Sequence, residues 1–188
     1  MIAEYPIHDG LSKEYATSAD FGRIFQQHMA SLHLLSFLLT ADSALAEECF
    51  VCGIETCANT STVFQEWAHS WARRVVVQNA IRLIAPVPSV TPALPMEQRS
   101  ASTGDAQNAT LDALLARILE LGTFERFVFV MSILERHSDQ DCSLLLACRR
   151  QDVVTARAQA LRQLSISDLV HAGLQQPLQV SPELLSTR

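Results

Sequence analysis

A chain of 188 residues and 20.8 kDa is long enough for one ordinary domain or two small ones. Its 48 % hydrophobic and 18 % charged residues are the composition of a folded protein, and no run approaches the roughly eighteen apolar residues of a membrane-spanning helix. The net charge of −6 excludes the general basic surplus of a nucleic-acid binder, so any DNA contact must come from a local patch.

The acidity is uneven. Residues 1–110 carry eleven acids against six bases, a balance of −5, while residues 111–188 carry nine against eight, a balance of −1. Met1–Gly10 has neither the basic start nor the apolar stretch of a signal peptide, and the expected location is cytoplasmic. Aromatic residues are 6 % of the chain, so the core is expected to be aliphatic.

In chain order, a first helix is expected over Ser18–Leu39, with Phe21, Ile24, His28, Leu32, Leu35 and Leu39 on one face. A second starts near Asp42 and fades near Asn59. A third runs from about Thr62 to Ile84, where Pro86 prevents further helix. Pro86, Pro88, Pro92 and Pro95, with the polar stretch Gln98–Asn108, then predict an extended linker over residues 85–110. After it come helices over Leu111–Leu121, over Phe124–Arg136 with Thr123 as N-cap, and over Asp139–Ala147 with Ser138 as cap. A last long helix covers about Arg150–Leu164, with Val153, Ala156, Ala160, Leu161 and Leu164 inward. The tail from Ser165 offers a short turn or helix. The expected fold is all-α: a module over 1–84, the linker 85–110, a module over 111–170 and a tail over 171–188.

Ser138–Ala147, the turn Cys148–Arg149 and Gln151–Leu164 have the lengths of a helix-turn-helix. Ala147 and Cys148 supply the small turn residues, and Leu145, Leu146, Val153 and Ala160 the apolar lock. Arg149, Arg150, Gln151, Arg157 and Arg162 supply a polar outer face; across Leu144–Leu164 four arginines oppose a single acid, Asp152.

This stretch resembles region four of sigma-70-type sigma factors. Phe124–Arg136 is similar to that region's arginine and aliphatic run, Ser138 to the serine opening its motif, and Leu145-Leu146-Ala147-Cys148 to its leucine-leucine-glycine-cysteine turn. Val153 and Ala160 fall at its valine and small-residue positions. The N-terminal part resembles region two of the small, extracytoplasmic-function type: Leu38–Asp42 with Ala46-Glu47-Glu48, then Trp71, Arg74, Val75, Ala80 and Ile81. The order of region two, linker and region four is also the family's.

The resemblance implies a factor without chemistry of its own or a cofactor, which binds core RNA polymerase and directs it to promoter DNA. It implies polymerase contacts through Asp42, Glu47 and Glu48, a −10 element met by Arg74 and Gln78, and a −35 element met by Arg149, Arg150, Gln151, Thr155, Arg157 and Arg162. An anti-sigma factor is a further class of partner it allows. The chain departs from the family at Val154, Ala156, Gln159 and Leu161, where basic residues are usual, and at Val77 and Gln78. Each lost phosphate contact weakens binding and flattens its salt dependence. The alternatives are a degenerate sigma-like adaptor or decoy working through protein contacts, and a stand-alone helix-turn-helix regulator.

Other constellations read as packing. Cys49, Cys52 and Cys57 with His69 lack the paired turns of a structural zinc site, and buried thiols are expected instead. Cys142 or Cys148 with His137 lies in no recognisable catalytic sequence. Glu47 and Glu48, adjacent on a helix, diverge by about 100° and cannot act as a paired acid and base. Trp67 and Trp71, one turn apart, are expected in the core, and His28 and His33 as packing or surface residues.

Overall fold

The computed structural model describes residues 15–59, 62–88 and 106–171, and these are helical apart from short turns and one isolated antiparallel bridge between Tyr15 and Phe64. Local capping sets the helix starts. Ahead of α1 (Ser18–Gln27), the Asp20 carboxylate accepts the Thr17 N–H at 2.8 Å while the Thr17 hydroxyl accepts the Asp20 N–H at 3.2 Å. Those Thr17 hydrogen bonds, with Arg23 alongside, hold the Asp20 carboxyl well below the usual carboxylate range. The helix α3 (Ser43–Ala58) starts as expected, with Asp42 Oδ1 accepting the Leu45 N–H at 2.9 Å.

The expected helix over Ser18–Leu39 is instead two. The helix α2 (Met29–Thr40) follows α1 across a break at His28, where φ is −111° and ψ is 19°. The His28 ring packs on His69, 4.3 Å between centroids, at the start of α4 (Ala68–Ile84). The break lets α1 cross α3 and α4 while α2 runs on to meet the C-terminal helices. Ser36 and Thr40, both buried in α2, donate to the Leu32 carbonyl at 3.1 Å and the Ser36 carbonyl at 2.9 Å, so neither is orphaned.

The third expected helix opens instead on a tight 3₁₀ turn, Gln65–Trp67, and α4 begins only at Ala68. Trp67 is therefore outside the core, 58 % exposed and edge-on to Phe64. The end is as expected: Ala85 turns left-handed at φ 47° and Pro86 follows, buried. Gly53 sits where α3 meets its neighbours; a Cβ there would lie 3.3 Å from Val76 and 3.5 Å from Phe25, which explains a glycine inside a helix.

Most of the expected linker lies outside the described residues. Helix resumes earlier than expected, as α5 (Ala106–Glu120). The helix α6 (Thr123–Phe129) takes Gly122 and not Thr123 as its N-cap. A single π-helical turn, Val130–Leu134, then widens the helix, with the Glu135 N–H donating to the Val130 carbonyl at 2.9 Å. The last two helices are α7 (Asp139–Leu145) and α8 (Arg150–His171), the latter one turn or more longer than expected.

The buried core is continuous. Phe21, Leu32, Leu39, Val75 and Val76 of the first four helices join Phe124, Phe127, Val128, Met131 and Val153 of the later ones, and α2 touches α5, α6 and the π turn. Two polar links reinforce the junction. Arg73 of α4 makes a bidentate ion pair with Glu135, Nε to Oε2 at 2.7 Å. Arg126 of α6 donates through Nη2 to the Leu39 carbonyl at 3.3 Å.

The His28–His69 pair adjoins that junction. Burial, His28 and Arg73 lower the His69 pKa below its ordinary 6.5, against an opposing pull from Glu135. The unfolded chain then takes the proton more readily. Stability present above about pH 6.5 is lost as pH falls toward the folded-state value. Thermal melts from about pH 7.5 to 5 should show this loss, and His69→Gln should reduce it; an unchanged pH profile in the variant assigns the loss to other groups.

Candidate nucleic-acid interface

The helix pair α7–α8 is built by short-range hydrogen bonds. The Ser138 hydroxyl accepts the Asp141 N–H at 3.1 Å and donates to Asp141 Oδ2 at 2.6 Å. With His137 and Arg74 nearby assisting, this holds the Asp141 carboxyl below its usual range. After α7 the chain turns at Ala147, left-handed at φ 50°, and the Cys148 N–H donates back to the Ser143 carbonyl at 3.1 Å. The Arg149 N–H donates to Asp152 Oδ2 at 3.0 Å as α8 opens.

Packing fixes how α8 is presented. Val153, Ala156, Ala160 and Leu164 are buried, as expected, together with Leu146 from the turn; Leu161 is exposed, contrary to expectation. At about 100° per residue, Gln151, Thr155, Ala158 and Arg162 form a stripe opposite that core face. All four are exposed. From Gln151 to Arg162 the stripe runs about 17 Å at 1.5 Å per residue.

The four arginines of this segment do not share that stripe. Arg149 and Arg150 are exposed at the start of α8, and Arg162 is exposed with its Nε donating to the Ala158 carbonyl at 3.3 Å. Arg157 is half-buried and turned to α7, where both its terminal nitrogens meet the Asp139 carboxylate, Nη2 to Oδ2 at 3.3 Å. Its charge is satisfied inside the protein.

The residues assigned to the N-terminal half lie on α4 and at the start of α3. Arg74 and Gln78, one turn apart on α4, are half-buried, and Arg74 faces the Asp141 region of α7. Trp71, on the same side of α4, is half-buried with its indole N–H lacking an acceptor among the described residues. Asp42, Glu47 and Glu48 are exposed at the start of α3, where Val51 and Glu55 extend their face.

The thiols are packed. Cys49 donates to the Val76 carbonyl at 3.3 Å, and burial pushes its pKa up to about 11 and that of Cys57 up to about 12. Burial also pushes the Cys142 thiol up to about 11 and raises Cys148. Among the described residues no three His, Cys, Asp or Glu side chains converge in a way that could hold a metal ion, and no helix is long and apolar enough to cross a membrane.

Sequence reading missed two polar groups inside the apolar run Phe124–Met131: Glu125 and Arg126 are both buried. An adjacent acid and base within such a run was the available signal. No protein-family model matches the chain, and no curated protein matches it either.

Proposed function

We propose that the chain is a sigma-70-like transcription initiation factor, which binds core RNA polymerase and directs it to promoter DNA. The observation that carries this reading is the outer stripe of α8: Gln151, Thr155 and Arg162 exposed in line, with Arg149 and Arg150 beside its start. In a helix-turn-helix such a stripe enters the major groove while flanking cations meet phosphates. On this reading Asp42, Glu47 and Glu48 face the polymerase, and Arg74 and Gln78 serve the −10 element.

A second reading, a sigma-like adaptor acting through protein contacts alone, is favoured by one specific observation. Arg157 is committed to Asp139, which leaves Arg150 and Arg162 on α8, with Arg149 just before it, as the exposed arginines of this segment.

Co-purification with core polymerase and promoter-dependent run-off transcription test the proposal, and a salt titration separates the two readings. With polymerase present, the α8 contribution to the logarithmic salt slope should be no steeper than about −3, at ~0.9 per phosphate contact. Arg150→Ala should lower promoter affinity and reduce the slope by about one. Arg157→Ala should leave the slope unchanged and lower the melting temperature. If promoter affinity is absent with and without polymerase while polymerase is still bound, the adaptor reading stands.

A further inference from the structure

A cleft of about 100 Å³ opens between the start of α6 and the first half of α8. Glu125, Asp152, Thr155 and Gln159 line it, with Phe124 and Pro88 as apolar walls. Glu125 is only 8 % exposed, yet its carboxylate makes no hydrogen bond or ion pair with any described residue. The carboxylate bends back over Gly122, into the space a Cβ there would fill. Asp152 uses Oδ2 on the Arg149 N–H at 3.0 Å, and its other oxygen has no protein donor among the described residues. No basic side chain among the described residues lines the cleft.

The Glu125 residue is largely withdrawn from water but its carboxylate has no protein donor among the described residues, which favours a cation able to reach it through the cleft. The surroundings select the kind of cation. Two carboxylates here share the lining with a hydroxyl and an amide, and among the described residues no third His, Cys, Asp or Glu converges on them to complete a metal site. Acceptors spread around a cleft suit a group that donates several N–H bonds at once, as guanidinium and ammonium do. The walls of Phe124 and Pro88 suit the methylene stem such a group carries.

We propose that this cleft binds an alkylguanidinium or alkylammonium group, its charge set against Glu125 and Asp152, its N–H groups shared with Thr155 and Gln159, and its stem laid along Phe124 and Pro88. The cation reaches the cleft either as a free small molecule or on an arginine or lysine of a protein. The site shares Thr155 with the outer stripe of α8, but none of its contacts requires DNA or polymerase.

The test uses the full chain, with amide NMR signals of residues 122–126 and 150–160 followed during titration. Ethylguanidinium and n-butylammonium chlorides should shift these signals saturably, and sodium chloride at equal ionic strength should not. Glu125→Gln should weaken binding about tenfold without lowering the melting temperature, since it removes a charge that has no protein partner. Gln159→Leu, at the half-buried rim, should weaken it several-fold and provides a second variant if the first folds poorly. A capped Gly-Arg-Gly peptide binding tenfold tighter than ethylguanidinium identifies a protein-borne cation, and equal affinity a free one. The proposal is overturned by non-saturable shifts, by magnesium chloride saturating the same signals at lower concentration, or by unchanged affinity in both variants.

Discussion

Replacing Arg126 with methionine should lower the unfolding free energy by about 3 kcal/mol, measured by urea denaturation. Arg126 is buried, and burial pulls its pKa below the ordinary arginine value. It meets carbonyls instead of a carboxylate. Nη1 donates to Leu119 at 3.4 Å and Leu121 at 3.3 Å, at the end of α5, and Nη2 donates to Leu39 at 3.3 Å, near the end of α2. One cation thus closes two helix C-termini, where the peptide dipoles leave partial negative charge. Methionine keeps most of the volume but removes the donors. Each buried acceptor left unsatisfied costs about 1–3 kcal/mol, partly offset because a cation no longer has to be desolvated. Arg126→Lys, which keeps the charge without the planar fork, should fall between. A methionine variant within about 0.5 kcal/mol of the parent would show that these long bonds contribute little.

Val153→Asp should cost about 4 kcal/mol or more, a large part of the stability of a domain this size. Val153 is fully buried where α8 packs on α6 and α7. A carboxylate there would have no donor beyond the backbone of its own helix, and protonation would remove the charge without supplying a partner. Circular dichroism melts should place the variant far below the parent, whereas Gln151→Asp, two residues earlier on the exposed stripe, should melt close to it. Equal melting of Val153→Asp and the parent would mean that α8 does not pack as described.

What sequence reading reached was what the chain decides locally. Asp42 and Ser138 cap α3 and α7 through acceptors three residues from their donors, and Pro86 excludes further helix without help from elsewhere. The failures share a different cause. The His28 ring at the helix break meets His69, and Arg157 is committed to Asp139, partners 41 and 18 positions away in a chain read one helix at a time. Thr123 is a better N-cap type than Gly122, but the Glu125 carboxylate occupies the space a side chain at the capping position would need. For the candidate interface, periodicity alone places Gln151, Thr155 and Arg162 together. It could not show which arginine would turn inward, because that depends on where α7 lies.

The corner at Ala147 has a consequence of its own. Left-handed backbone disfavours any residue with a Cβ by about 1–2 kcal/mol, and the chain places alanine there without the relief of glycine. From Asp139 to His171 there is no glycine or proline, and both flanking segments are already helix. Nothing in this stretch forbids it from running straight through as a single rod of about 50 Å, at 1.5 Å per residue. The bend belongs to the neighbourhood: Leu146 and Val153 reach the same core only if the chain folds back between them. Released from that core, the two helices have no glycine or proline to keep them apart.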